Sequence, residues 1–206
     1  MPRDVRICFI GDSYVAGVGD ESGLGWTGRV ASTLRSAGLD CTAYALGIRR
    51  DTSADIRERW QSEACRRLPA SCEGRLVFSF GVNDCILAGE RTRLALSDSL
   101  ENARQILAAA RGWLPTLVVG PPAVALSGQG PINERIALLS GMLHELCVTR
   151  SLPYIDLFTP LFQNQAWLAD LARDGAHPSA AGYARMAQLI LAQAAWQAWI
   201  AAPPTV

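Results

Sequence analysis

Val5-Arg6-Ile7-Cys8-Phe9-Ile10-Gly11-Asp12-Ser13-Tyr14 is the stretch from which the fold can be read. A β-branched and aromatic run that ends abruptly in Gly-Asp-Ser predicts a buried strand, Val5 to Ile10, delivering one hydroxyl to its carboxyl end. That hydroxyl belongs to Ser13, the candidate nucleophile. Serine alone is not nucleophilic at neutral pH, so the reading requires a base, a group to orient the base, and donors for a developing oxyanion.

Outward from this strand, the chain alternates. After the irregular, glycine-rich Val15 to Gly28, a helix is expected from about Arg29 to Ser36, ended by Gly38. Asp40 to Leu46 reads as a second strand closed by Gly47. Thr52 and Asp55 have the spacing of a capping box, which opens a helix to about Leu68. Arg75 to Phe80 is a third strand, ending in Gly81-Val82-Asn83-Asp84. A helix over Ala95 to Trp113, a strand over Thr116 to Val119, a helix over Ile132 to Arg150 and a short strand over Pro153 to Leu157 follow. Trp167 to Ala172 reads as a helical piece, Arg173 to Pro178 as a polar loop, and Ala180 to Ile200 as one terminal helix. Strands separated by helices of ten or more residues imply right-handed crossovers and a parallel sheet covered on both faces. For five strands the common doubly wound order is 2-1-3-4-5, with the ligand site beyond the carboxyl ends at the switch between strands 1 and 3. Gly47 and Asn83 then flank Ser13.

Length and composition fit one domain spanning residues 1–206, with a full core and 50% hydrophobic residues. Formal net charge is zero, and all 19 basic residues are Arg. No electrostatic footprint for nucleic acid or an anionic membrane is present, and without Lys there is neither a Walker-type phosphate lysine nor Schiff-base chemistry. No secretory pattern opens the chain, so a cytoplasmic location is expected. The terminal apolar stretch is interrupted by Arg185, Gln188, Gln193 and Gln197, which argues for a packed helix and against stable membrane insertion. Six scattered cysteines read as reduced core thiols, not as a disulfide framework or zinc site. Gly23-Leu24-Gly25-Trp26-Thr27-Gly28 matches the dinucleotide pattern G-x-G-x-x-G but begins twelve residues after the strand ends. The pyrophosphate could not meet the next helix's N-terminus, and the match is read as accidental.

Only two histidines can serve as base. His144 lies mid-helix beside Met142, Leu143 and Leu146. His177 lies in Asp174-Gly175-Ala176-His177, where an aspartate three residues earlier can accept the Nδ1 proton and leave Nε2 free to take the hydroxyl proton. Deprotonation of this imidazole, whose unperturbed pKa is about 6.5, should make activity rise with pH.

Gly11-Asp12-Ser13, Gly47, Gly81-Val82-Asn83-Asp84 and Asp174-Gly175-Ala176-His177, in that order and spacing across nearly the whole chain, resemble the four blocks of the SGNH or GDSL hydrolases. The resemblance implies a flavodoxin-like three-layer α/β/α fold and hydrolysis of esters or thioesters with no metal or organic cofactor. It casts Ser13 as nucleophile, His177 as base and Asp174 as its orienter. The backbone N–H groups of Ser13 and Gly47 and the amide of Asn83 become the oxyanion hole. Two departures stand out. Tyr14 follows the serine in place of leucine, and Ala45 holds a position often occupied by a loop-bracing asparagine.

Arg49 and Arg50 leave the second strand at the predicted mouth of the site. They either select anionic acyl donors or pair with Asp51, Asp55 and Glu58. Tyr14, Trp26, Leu87 and Pro121 lie on or next to loops that should surround Ser13 and are candidates for the pocket wall. Trp196 and Trp199 are expected to cover the sheet or a subunit contact. The favoured function is a serine esterase acting on small or medium acyl esters, lysophospholipids and thioesters included. A carbohydrate O-deacetylase would use the same residues, and a silent scaffold is the reading from another class.

Overall fold

A computed structural model of the protein describes residues 3–202. Five parallel strands form the main sheet: β1 (Val5–Gly11), β2 (Cys41–Gly47), β3 (Glu73–Ser79), β4 (Thr116–Val119) and β5 (Tyr154–Ile155). Their order is β2-β1-β3-β4-β5, as anticipated, and a separate two-stranded hairpin, Leu87–Ala88 with Arg91–Thr92, sits outside the sheet. The central strands are buried on both faces because helices cover both, which is why β1 and β3 carry near-continuous apolar runs.

The helices are α1 (Gly25–Ser36), α2 (Ser53–Cys65), α3 (Leu96–Arg111), α4 (Ile132–Thr149), α5 (Phe158–Phe162), α6 (Gln165–Asp170), α7 (Ala180–Ala192) and α8 (Ala194–Ala201). α1 packs with α7 on one face of the sheet, and α2, α3 and α4 pack in a row on the other. Together the layers make an α/β/α sandwich. The core between them is filled by side chains such as Phe9, which meets Trp26 edge-on at 5.2 Å, and Phe78, which meets Trp60 at 5.3 Å.

Register places the site. Gly11 lies opposite both Gly47 on β2 and Ser79 on β3, so three strands end flush at one rim. The residues that follow them, from Asp12, Ile48 and Phe80 onward, leave the sheet side by side.

Several boundaries differ from the sequence expectation; β3 begins at Glu73, ahead of Arg75, and α2 ends at Cys65, short of Leu68. α1 begins at Gly25, four residues before Arg29, because the Asp20 carboxylate accepts from the Gly25 N–H at 2.8 Å and from the Arg29 guanidinium. The anion therefore already occupies the helix N-terminus where a dinucleotide pyrophosphate would have to sit. The terminal helix is two helices, broken at Gln193, whose ψ of 131° is extended. After the break α8 turns back under the sheet, and the buried guanidinium of Arg75 on β3 donates to the Trp199 carbonyl and stacks over its ring at 5.1 Å. Trp196 and Trp199 are thus buried within the chain itself. The short helix α5, which no sequence signal marked, follows β5 directly.

Candidate active site

Asp12 and Ser13 follow β1 in a tight turn, in which the backbone carbonyl of Asp12 accepts from Ala16 N–H at 3.1 Å and that of Ser13 from Val18 N–H at 3.0 Å. The turn packs against Gly47: a Cβ there would lie 2.2 Å from Ala16 N and 2.5 Å from the Asp12 carbonyl oxygen. Only glycine permits β2 to end this close to the Ser13 loop. Arg59 on α2 ties the two strand ends together. Its guanidinium donates to the Gly11 carbonyl at 2.8 Å, the Leu46 carbonyl at 3.1 Å and Asp51 at 2.6 Å. It braces the loop where the family pattern often has an asparagine and this chain has Ala45.

Asp174 and His177 come from the turn before α7. Gly175 holds that turn with φ of +79°, and its carbonyl accepts from Ala125 N–H at 2.7 Å. Asp174 Oδ1 accepts from the backbone N–H groups of Ala176 at 2.9 Å and His177 at 2.8 Å, while Oδ2 meets His177 Nδ1 at 2.7 Å. His177 Nε2 lies 2.9 Å from Ser13 Oγ, 164 residues away in sequence. Burial opposes ionisation of Asp174, but its hydrogen bonds from the His177 backbone, the imidazole and Ala176 outweigh that and hold its pKa down to about 2. A carboxylate that stays ionised fixes the tautomer with hydrogen on Nδ1, leaving Nε2 as acceptor for the Ser13 hydroxyl. Tyr14 steadies the turn from the other side, its hydroxyl donating to the Ala176 carbonyl.

Asn83 opens a single 3₁₀ turn after β3, and its Nδ2 donates to Asp12 Oδ2 at 3.1 Å. Asp12 Oδ1 accepts from Tyr14 N–H at 3.0 Å. Asp84 turns away from the cavity, accepting from Ser53 N–H at 2.8 Å and so fixing the start of α2. Asp12 is only 1% exposed. Burial, reinforced by the charges of Asp84 and Asp51, pushes its pKa up to about 7 despite the hydrogen bonds from Tyr14 and Asn83.

A carboxyl group whose folded pKa is raised binds its proton more tightly when folded. Its ionisation therefore costs stability as pH rises from the ordinary carboxylate range toward 7. Asp174 does not contribute there, since its depressed pKa confines its effect to more acidic pH. Urea unfolding at pH 5, 6 and 7 should show the stability of the protein falling with pH, the Asp12 part by up to about 1.4 kcal/mol per unit. Asp12→Asn should flatten that slope. An identical slope in parent and variant would refute the assignment.

Ser13, Asn83, Asp174 and His177 line one cavity of about 190 Å³, together with Tyr14, Arg49 and Arg50. Gly47 does not line the cavity; it packs behind the Ser13 turn, against Asp12, Val15 and Ala16. Leu87 does not line the cavity. Ile86 does, because successive residues of the extended chain entering the hairpin face opposite ways. Trp26 and Pro121 are buried behind the site, and His144 is distant, stacked on Tyr154 at 5.2 Å. Val82 and Leu126, which the sequence did not single out, complete the wall. Val82 lies in the Gly81-Val82-Asn83-Asp84 block without a role of its own there, and Leu126 lies in no motif. Among the described residues no group of three or more His, Cys, Asp or Glu could hold a metal, and no helix is long and apolar enough to cross a membrane.

Comparison with known proteins agrees with this architecture. Among solved structures the chain is similar to a lipase/acylhydrolase from Enterococcus faecalis, with a TM-score of 0.78, 24% identity and 100% of both chains covered. It also resembles Axe2, an acetylxylan esterase from Geobacillus stearothermophilus, with a TM-score of 0.77, 19% identity, and 92% of this chain and 94% of that chain covered. LAE5, an alpha/beta hydrolase enzyme from the metagenome of Lake Arreo, Spain, superposes with a TM-score of 0.77 at 17% identity, over 97% and 98% of the two chains. No curated protein matches the chain. The profile of the GDSL-like lipase/acylhydrolase family matches residues 9–185, and with that match the chain belongs to this family of hydrolases acting on ester bonds.

Proposed function

We propose that the protein is a serine esterase that cleaves carboxylic esters through an acyl-enzyme on Ser13. What supports this is the unbroken line from Asp174 Oδ2 through His177 to Ser13 Oγ, with links of 2.7 and 2.9 Å, opening into a cavity that Asn83 also lines. His177 Nε2 accepts the proton of Ser13 as its oxygen attacks the acyl carbon. Negative charge gathers on the carbonyl oxygen, and the N–H groups of Ser13 and Gly47 and the second amide hydrogen of Asn83 stabilise it. On collapse His177 returns the proton to the departing alcohol. Water then enters and gives a proton to His177 as it attacks the acyl carbon, and His177 passes that proton to Ser13 Oγ as the acid departs.

The roles of the two carboxylates differ by environment. Asp174, with 41% of its side chain exposed, remains ionised and orients the imidazole. Asp12, sealed beneath the nucleophile, touches no substrate and holds the Asn83 amide in place.

The test is covalent. One equivalent of a fluorophosphonate should abolish cleavage of p-nitrophenyl butyrate, and peptide mapping should place the added mass on Ser13. Labelling elsewhere, or full activity after labelling of Ser13, would remove the acyl-enzyme mechanism.

A further inference from the structure

The catalytic cavity has two unlike walls. On the β2 side stand Arg49 and Arg50, and neither has a carboxylate within ion-pair distance among the described residues. Of the acids that could have neutralised them, Asp51 binds Arg59 and Asp55 caps α2 through Thr52, while Glu58 forms no ion pair with either arginine among the described residues. Asp174, the one acid lining the cavity, is held by His177. Arg50 also adopts φ of +69°, a left-handed conformation rare outside glycine, and its carbonyl is fixed there by Arg93 at 2.8 Å. Non-glycine residues persist in such conformations where the surroundings impose them, as they do around ligand sites.

On the β4 side the wall is apolar. Leu126 lines the catalytic cavity and also a neighbouring groove of about 370 Å³, so the two adjoin at that side chain. Phe158 and Phe162 lie in that groove with their rings stacked at 5.1 Å, and Phe162 is 42% exposed. Sheet order sets the separation. β2 and β4 lie on opposite sides of the β1–β3 pair that presents Ser13 and Asn83, three strand spacings or about 14 Å apart.

Building on the esterase reading, we propose that the substrate is an anionic ester with an apolar arm, its carboxylate or phosphate bound by Arg49 and Arg50 and its apolar chain or ring laid over Leu126 toward Phe158 and Phe162. The ester bond then spans Ser13 between a charged and an apolar subsite. A guanidinium fork suits either anion, pairing two N–H groups with two oxygens. Both arginines stand exposed at the cavity mouth, where two cations without protein counter-ions favour a charged ligand over its neutral isostere and salt weakens that advantage.

Two matched pairs separate the sources of the anion. Mono-p-nitrophenyl glutarate against p-nitrophenyl valerate puts a carboxylate on the acyl side. Octanoylglycerol phosphate against octanoylglycerol puts a phosphate on the alcohol side. In at least one pair the parent protein should favour the anionic member in kcat/KM by about tenfold or more, a preference that falls as salt is raised. Arg49→Gln with Arg50→Gln should erase most of that preference, and Phe162→Ala should weaken cleavage of octanoyl more than acetyl esters. Equal kcat/KM within both pairs, or equal loss on charged and neutral members in the arginine variant, would overturn the proposal while leaving the esterase intact. Failure to cleave any ester, with Ser13 unlabelled by fluorophosphonate, would instead remove the esterase reading and this proposal with it.

Discussion

Ser13→Ala is expected to lower kcat on a good ester by about 10⁴- to 10⁶-fold, with KM changed by less than about threefold, and His177→Ala should fall in the same range. The two losses should not add. Ser13 and His177 form one proton-transfer unit, joined at 2.9 Å, so removing either already abolishes attack, and the double variant should be no slower than the worse single one by more than about threefold. The rate that remains reflects binding and the oxyanion donors acting on water. Folding should be unaffected in Ser13→Ala, because the hydroxyl meets a cavity and deleting it leaves no buried partner without a bond. Steady-state kinetics on the three variants, beside their melting temperatures, check this. A Ser13→Ala protein that keeps more than about 1% of parental kcat, free of contaminating parent, would exclude serine as nucleophile.

The parts of this site that were legible in the sequence share a property: each lies where a strand must stop. Val5 to Ile10 can only be a buried strand, and Gly11-Asp12-Ser13 must then be its exit; Gly47 and Asn83 follow for β2 and β3. His177 emerged by elimination, since two histidines leave little choice. What the sequence concealed depends on contacts between distant segments. Arg59 reaches back 48 residues to the Gly11 carbonyl, and nothing in the spacing of α2 distinguishes it from Arg57 or Arg67. Asp20 starts α1 from five residues away, inside a stretch whose glycines read as irregular, so the expected start at Arg29 comes four residues late. Between Tyr183 and Ile200 there is no glycine or proline to mark a stop. The break at Gln193 lets α8 bring the Trp199 carbonyl to Arg75 on β3, a contact between residues 124 apart in sequence. Leu87, the residue named from the sequence, is one position past Ile86, and in an extended segment one residue is the difference between facing the cavity and facing away.

Asn83→Ala should reduce kcat by about a hundred- to a thousandfold with little change in KM, since the amide serves an oxygen that carries full charge only after attack. The same substitution should also reveal what lies beneath. Asn83 Nδ2 donates to Asp12 Oδ2 at 3.1 Å, and that carboxylate is buried, so alanine leaves it short of a donor. Losing a partner for a buried polar group costs about 1–3 kcal/mol, and more when the group is charged. Asp12, with its pKa at about 7, is mostly protonated at pH 5 and mostly ionised at pH 8. The stability lost in Asn83→Ala should therefore be greater at pH 8 than at pH 5, whereas an amide acting only on the oxyanion predicts the same loss at both. Urea unfolding at the two pH values and kcat on one ester separate the possibilities. Turnover within about threefold of the parent would take Asn83 out of the oxyanion hole. A pH-independent stability loss would show that its bond to Asp12 does not depend on the carboxylate's charge, and the Asp12–Asn83 pair would then position the amide by shape alone.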